Sequence, residues 1–414
     1  MKNEYTIAGF FAGVGGIEEG FHREGAETVF LCEKDARGKA VLANHYPGVE
    51  IADDITEVQS IPKVDIVTAG FPCQDLSQAG LKKGIGGTQS GLVQHLFRII
   101  ANNKYEDRPE WIVIENVSYM ISLDSGNAIK YITTELENLG YTWGYRVVDA
   151  RAFGVPQRRQ RLLLVASKSN DVRKVLFADN IENPPVNDSI GEIDENKLYG
   201  FYWTEGKRGL GWTVDGVPTL KIGSKIGIPS PPAIWNPKTN FFGTPDIRDA
   251  EKLQGFPADW TLPAMELPKP KRGDRWHLVG NAVCVNMSHW LASRIFSPGE
   301  FDESLSKEIH RKKWPKAAYG HDGHVYEVKV GMWPVNMSTP SLNEYLEYPL
   351  KPLSLKGMSG FYSRAIGSTL INYPDRFIKS MEVFLEHLKG EMSEIEKKWY
   401  VLRAISGKET KVKE

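Results

Sequence analysis

The apolar run Thr6–Phe11 leads directly into Ala12-Gly13-Val14-Gly15-Gly16, and a short helix-like segment follows from Ile17 to about Glu24. Glycines let the backbone approach a ligand closely, and the N-terminus of the helix behind them favours negative charge. This pattern is useful to a chain whose first strand shares an edge with other strand ends, where α/β sheets bind ligands. The sequence supplies such strands at Thr28–Cys32, Val64–Ala69, Trp111–Ile114 and Leu162–Ala166. Leu92–Ile100 and Ala128–Leu139 have helical periodicity and lie between them. The alternation predicts an α/β fold with a Rossmann-like, mostly parallel sheet covered on both faces.

The pattern breaks after about Ser167. Asn183-Pro184-Pro185 and the acidic stretch Glu192–Glu195 look like a connection. Tyr199–Phe242 is rich in Gly, Pro and aromatics, which predicts a small, irregular lobe. Helical periodicity returns at Val283, Met287, Trp290, Leu291 and Ile295, and Ser297-Pro298-Gly299 ends it. Phe377, Met381, Phe384, Leu388, Ile395, Trp399 and Leu402 fit one long amphipathic helix, or two broken near Gly390, expected to pack on the core.

Apolar residues make up 41% of the chain and charged residues 25%, an ordinary globular balance. There is no apolar run of about 20 residues and no secretory signal pattern, so a cytoplasmic location is expected, nucleoid-associated in a prokaryote. The formal net charge is -1, so any contact with nucleic acid needs a local basic cleft. The three cysteines, Cys32, Cys73 and Cys284, are far apart, which argues against a disulfide framework and structural zinc. His321-Asp322-Gly323-His324 reads as a polar turn, and no metal site is expected.

Chemistry-bearing residues gather at the strand ends. Glu33 ends the second strand, where an acid can accept hydrogen bonds from ribose hydroxyls. Glu18 stands where a dinucleotide fingerprint has its third glycine, which favours a nucleoside-type, positively charged ligand over a pyrophosphate. The strand Val64–Ala69 runs into Gly70-Phe71-Pro72-Cys73-Gln74, and Trp111–Ile114 runs into Glu115-Asn116-Val117. A lone cysteine is commonly an inert small hydrophobe, but Cys73 sits in a turn among polar and glycine residues, where a thiol can act as a nucleophile. Arg159 and Arg161 alternate, so an extended chain points them the same way. Taken alone they would be a solvated basic turn.

Together these segments resemble the DNA cytosine-5 methyltransferases of restriction-modification type. The resemblance covers most of residues 5–167 and resumes at about 248–296. It rests on Phe11 to Gly16, Asp54-Ile55-Thr56, Gly70 to Gln74, Glu115-Asn116-Val117, Gln157 to Arg161, Arg248 to Pro257 and Gly280-Asn281-Ala282-Val283, all in order. It implies the fold of an S-adenosylmethionine-dependent methyltransferase with an inserted target recognition domain. The expected domains are 1–167 and 248–296 for the catalytic part, 168–247 for target recognition and 297–414 for a C-terminal extension.

The resemblance implies roles as well. Phe11, Gly13, Gly15, Gly16, Glu33, Asp54, Ile55, Asn281 and Val283 would line the S-adenosylmethionine pocket, with Glu33 on the ribose and Asp54 on the adenine amino group. Cys73 would attack C6 of a flipped-out cytosine, Glu115 would act at N3 and the amino group, and Arg159 and Arg161 would hold the base and the catalytic loop. Gln74, Ser77, Thr219, Leu220 and Lys221 would contact DNA, the last three in a lobe that mixes lysine and arginine with Trp203, Trp212 and Trp235. The segment Gly80–Gly91 reads either as a loop closing over DNA or as surface linker. Two departures stand out. Many relatives carry an aromatic residue on the adenine face, where this chain has Lys34. The tail after the last motif is outside the shared pattern, and Arg311 to Lys316, with Trp314 among basic residues, reads either as a contact to DNA phosphate or as a solvated basic loop.

The expected partners are double-stranded DNA and either a restriction endonuclease or a related defence system acting on the same site, with the enzyme a monomer. An RNA cytosine-5 methyltransferase and a non-catalytic DNA-binding relative are the competing readings. The sizeable lobe argues against the first and an intact Cys73, Glu115 and arginine pair against the second. A nicotinamide oxidoreductase is disfavoured by Glu18 and by Cys73.

Overall fold

The computed structural model describes residues 5–72, 91–181, 188–205, 209–223, 229–310 and 313–390. The chain forms two compact units. The first comprises residues 1–186, 219–230 and 247–340, and the second 187–218, 231–246 and the chain from 341 onward.

The first unit is built on a ten-stranded sheet. Its strands are β1 (Thr6–Phe10), β2 (Glu27–Cys32), β3 (Glu50–Ala52), β4 (Ile66–Ala69), β5 (Trp111–Val117), β6 (Thr142–Asp149), β7 (Gln160–Ser167), β8 (Ser306–Glu308), β9 (Ala317–His321) and β10 (His324–Val328). They lie in the order β8-β10-β9-β6-β7-β5-β4-β1-β2-β3. From β3 to β5 all neighbours are parallel, as the β-α alternation predicts. Every residue of β4 is buried, the expected consequence of helices on both faces.

Beyond β5 every pairing is antiparallel, and these strands extend the parallel part of the sheet. The chain passes from β6 to β7 through a single 3-10 turn at Ala150–Ala152, and without a crossover helix the two strands must run antiparallel. β6 does not stand out in the sequence, because Gly144 and Arg146 interrupt its apolar residues. Arg146 is fully buried and donates to the carbonyls of Gly331, Leu176 and Asp179 and to Asn180 Oδ1. Burial pushes its guanidinium down to about 10.

Residues expected to belong to a separate extension add β8–β10 to this sheet. His321-Asp322-Gly323-His324 is the two-residue turn between β9 and β10, with φ of 51° at Asp322 and 78° at Gly323. Positive φ at both central positions suits the twist of a hairpin. Trp314 is buried and donates from Nε1 to the Gly126 carbonyl at 3.0 Å, so it is a core residue and no DNA contact. Arg311 and Lys312 lie outside the described residues.

The helix Val285–Phe296 returns against the first helix, Gly16–His22. Ser288 Oγ donates to the Gly16 carbonyl at 2.8 Å, and a side chain at Gly20 would collide with Ser288.

The second unit holds a sheet of five short strands, in the order Thr213–Val214, Tyr199–Phe201, Ala233–Asn236, Phe241–Thr244 and Lys351–Pro352. The last strand and two helices, Leu355–Ile366 and Asp375–Gly390, come from the tail. Phe377, Met381, Phe384 and Leu385 line one face of the final helix and enter the same core as Tyr199, Phe201, Trp212, Trp235 and Phe242. Phe377 and Trp235 meet with ring centroids 5.0 Å apart.

The unit boundaries therefore differ from the expected ones. Residues 168–186, 219–230 and 297–340 pack with the first unit, and the tail from 341 packs with the lobe. The physical reason is that the short lobe segments cannot close a core alone, and the aromatic stripe of the tail supplies the missing layer. Trp212 and Trp235 are buried in that core, so neither mixes with the lobe's cations at a surface as expected. Among the described residues no helix is long and apolar enough to cross a membrane.

Candidate active site

A cavity of about 800 Å³ lies in the first unit, where the glycine loop and the ends of β2, β3, β4 and β5 meet. It is lined by Phe11, Gly13, Glu33, Lys34, Asp54 and Ile55. The same cavity is also lined by Pro72, Glu115, Asn116, Arg159, Arg161 and the segment Thr219–Gly223. Residues spread over more than 200 positions thus share one cavity wall.

The glycine loop turns through left-handed backbone, with φ of 53° at Phe11, 60° at Gly13 and 83° at Gly15. The backbone N–H groups of Gly13 and Asp35 each donate to one oxygen of Glu33, both at 2.7 Å. Burial raises the Glu33 carboxyl above its ordinary value, against the opposing pull of these two hydrogen bonds. Each oxygen keeps a further lone pair for a ligand hydroxyl. Asp54 accepts from Thr56 N at 3.0 Å and from Lys34 Nζ at 2.6 Å, which holds its carboxyl down to about 2.

Gly15, Gly16 and Val283 stand behind this wall. A side chain at Gly15 would meet the Tyr46 ring, and one at Gly16 the Val283 carbonyl. Asn281 lines the cavity itself. Glu18 is buried under the loop and accepts from Thr68 Oγ1 at 2.7 Å.

The register of β5 and β7 brings the acid and the arginine together. Val117 pairs with Arg161 and Glu115 with Leu163, so Glu115 and Arg161 are diagonal neighbours on one face. Arg161 Nε lies 2.9 Å from Glu115 Oε1. Burial nonetheless pushes the Glu115 carboxyl above its ordinary value, against the opposing pull of Arg161 and Arg159. Arg159 is buried and donates to the Ala282 carbonyl at 2.6 Å and to the Leu220 carbonyl at 3.4 Å.

Cys73, Gln74 and Ser77 lie outside the described residues. The residues just before them, Phe71 and Pro72, line the cavity. Both other cysteines are buried. The Cys32 thiol is pushed up to about 12 by burial and by the acids around it, and burial raises Cys284 as well. Neither has the character of a nucleophile.

Three amides that hold the site together, Asn116, Gln157 and Gln254, stand in the shared motifs with no role assigned from the sequence. Asn116 Nδ2 donates to the Phe71 carbonyl at 3.0 Å. Gln157 Nε2 donates to the Leu253 carbonyl at 2.7 Å, and Gln157 Oε1 accepts from Leu220 N at 3.0 Å. Gln254 Nε2 donates to the Val279 carbonyl at 2.7 Å. Thr219 Oγ1 donates to the Arg158 carbonyl at 2.7 Å, and Leu220 is buried. Thr219–Gly223 is thereby built into the cavity wall, with Lys221 on its lining. Neutral amides inside motifs carry no sequence signal of such anchoring beyond their polarity in an apolar setting.

The family model of the C-5 cytosine-specific DNA methylases matches residues 5–214. The Type II methyltransferase M2.BsuMI of Bacillus subtilis (strain 168) is 48% identical over 377 residues, 91% of this chain and 97% of that protein. A match of that span takes in most of the residues after 297. The Type II methyltransferase M.MspI of Moraxella sp is 30% identical over 312 residues, 71% of each chain. M.SsoII of Shigella sonnei, also a Type II methyltransferase, is 31% identical over 325 residues, 72% of this chain and 81% of that protein. With the motifs, the mixed sheet and the shared cavity in place, the chain belongs to the C-5 cytosine-specific DNA methylases and is a DNA cytosine methyltransferase.

Proposed function

We propose that the enzyme transfers a methyl group from S-adenosylmethionine to C5 of a flipped-out cytosine in a specific duplex DNA sequence, through a covalent bond from Cys73 to C6. The observation that carries this reading is Glu115. It is a buried carboxyl with a raised proton affinity, held beside Arg161 in the cavity that Pro72 enters immediately before Cys73.

The donor set fits the cofactor. Of the acids that line the cavity, Asp35, Asp53 and Asp54 are paired with Arg37, Lys39 and Lys34, while Glu33 is held by the backbone N–H groups of Gly13 and Asp35, so its carboxylate suits ribose hydroxyls and a sulfonium ligand and disfavours a pyrophosphate. Glu33 would hold the ribose hydroxyls and Asp54 the adenine amino group, with Ile55 and Phe11 as apolar surface. When bound, S-adenosylmethionine supplies an electrophilic methyl group.

The protein's part is to make C5 electron-rich. The Cys73 thiolate adds to C6, and the C5–C6 electron pair shifts toward C5 and the ring. Glu115, kept protonated by burial, donates at N3 and quenches the developing charge. Arg161 fixes the Glu115 carboxyl, and Arg159 holds the wall formed by Leu220 and Ala282. After methylation the C5 proton leaves to solvent. The returning electron pair re-forms the C5–C6 bond and expels the thiolate, and N3 returns its proton to Glu115. Extruding the base costs a few kcal/mol of pairing and stacking, which DNA contacts from Gln74, Ser77, Thr219 and Lys221 would offset.

The second unit would read the DNA sequence, and the tail from 341 would be part of that reader because it completes the core. By analogy with the Type II relatives, methylation would protect the site from a paired endonuclease, with the methyltransferase acting as a monomer.

Trapping tests the reading directly. Duplex DNA with 5-fluorocytosine at the target should form an adduct stable in denaturing gels, since fluorine cannot leave as the C5 proton does. Cys73→Ser should form none while still binding S-adenosylhomocysteine. An active enzyme that gives no adduct, or Cys73→Ser turning over at the parent rate, sinks the mechanism.

A further inference from the structure

β2 and β3 are parallel, and Cys32 pairs with Ala52 at their ends. The ladder continues for one more bond, from Glu33 N to the Ala52 carbonyl at 3.0 Å. Lys34 and Asp54 each stand two residues beyond the paired position, so alternation puts them on one side of the two strand tips. Their side chains meet there at 2.6 Å, and both line the cavity. Lys34 is the more open partner, with 79% of its side chain exposed against 21% for Asp54.

An ion pair this exposed adds little to fold stability. Its ammonium is nevertheless anchored, because Asp54 is itself held by Thr56 N. Anchoring the tip confines the four-carbon stem, which is apolar and can cover an apolar surface while the charge stays in water. Ile55 and Phe11 line the same cavity, and the acids Glu33 and Asp54 supply acceptors in it. A flat, apolar-faced ligand with an amino group at its edge matches this arrangement.

We propose that Lys34 and Asp54 act as one strap over the adenine of the cofactor. The Lys34 stem covers one face of the base, the ammonium stays tethered to Asp54, and the remaining Asp54 lone pairs take the adenine amino group. This rests on the cofactor reading above. It makes Lys34 a positioning residue for the methyl donor, in a place where an aromatic ring would serve by stacking.

Calorimetry with S-adenosylhomocysteine, which needs no turnover, tests the strap. Lys34→Ala should weaken binding about fivefold or more. Lys34→Met keeps a stem of similar length without the tether, and should lose less than Lys34→Ala. Lys34→Trp should bind at least as well as the parent. The loss from Lys34→Ala should shrink when Asp54→Asn is already present, because the two residues act together. Thermal melting of the Lys34 variants should match the parent, since Lys34 is exposed. If Lys34→Ala binds within twofold of the parent while Glu33→Ala weakens binding tenfold, the strap is wrong and the pocket stands. If Glu33→Ala and Asp54→Asn also leave affinity unchanged, the cofactor reading of this cavity fails. Equal losses in Lys34→Ala and Lys34→Met would reduce the role of Lys34 to its charge and overturn the covering stem.

Discussion

The side-chain amide of Asn116 donates to the Phe71 carbonyl oxygen at 3.0 Å, joining the strand that carries Glu115 to the chain that leads to Cys73. The contact is buried, so its loss leaves an acceptor without a partner and costs about 1–3 kcal/mol. Asn116→Ala is therefore expected to slow single-turnover methylation about ten- to a hundredfold. Affinity for S-adenosylhomocysteine should stay within twofold, because the Asn116 side chain holds the Phe71 carbonyl and Val117 N, while Glu33 and Asp54 are held by other groups. A variant that loses cofactor affinity as much as rate would show general damage to the cavity.

Glu115 must carry a proton when the thiol adds. Burial raises its folded pKa, so the protonated form persists to higher pH than for an ordinary glutamate, and the rate falls as pH rises through that value. Glu115→Gln stays neutral and keeps an N–H donor but cannot transfer a proton. Its methylation rate should drop about 10²- to 10⁴-fold. The residual rate should lack the high-pH decline of the parent, measured under single-turnover conditions across a pH series. Persistence of that decline in Glu115→Gln would assign it to another group.

Glu18 links burial to stability. Its carboxyl is raised by burial despite the hydrogen bond from Thr68. A folded pKa above the unfolded value of about 4.3 means that the native state favours the protonated form. Its contribution is fully present below that pH and declines as pH rises through the folded pKa. Glu18→Gln keeps an acceptor for Thr68 and removes the buried charge. The Tm of the variant relative to the parent should rise with pH, by about 2–4 °C or more near pH 8 and little near pH 4. A constant difference across that range would refute the assignment.

Phe377 lies at the centre of the second unit, against Trp235, Trp212 and Phe201. Phe377→Ala should destabilise that unit by about 3–5 kcal/mol. The expected result is loss of sequence-specific DNA binding in a gel-shift assay, with binding of S-adenosylhomocysteine retained by the first unit. Unchanged specific DNA binding would detach the tail from target recognition.

Gly280 packs against the Lys221–Ile222 backbone so closely that an added methyl group would collide with it. Gly280→Ala should shift the Thr219–Gly223 wall, lowering kcat/KM for DNA about tenfold or more and costing about 1–3 kcal/mol of stability. Wild-type kcat/KM would mean that this wall does not set the geometry of the base site.

What the sequence determined by itself was the part of the protein encoded locally. The strand into Gly13–Gly16, the acids Glu33 and Asp54, and Glu115 with Arg159 and Arg161 all sit at strand ends, and strand ends can be read from periodicity and glycines. Because the strands share one edge, legible ends are enough to assemble one cavity. The tertiary structure decided what depends on a distant partner. Arg146 hides β6 because its charge is satisfied by carbonyls brought from residues 176, 179 and 331. The stripe beginning at Phe377 shows that a helix face must be covered, but an amphipathic pattern carries no address, and the cover proved to be the lobe's own tryptophans. Lys34 reads as a departure in the sequence, and only the ends of β2 and β3 bring it to Asp54.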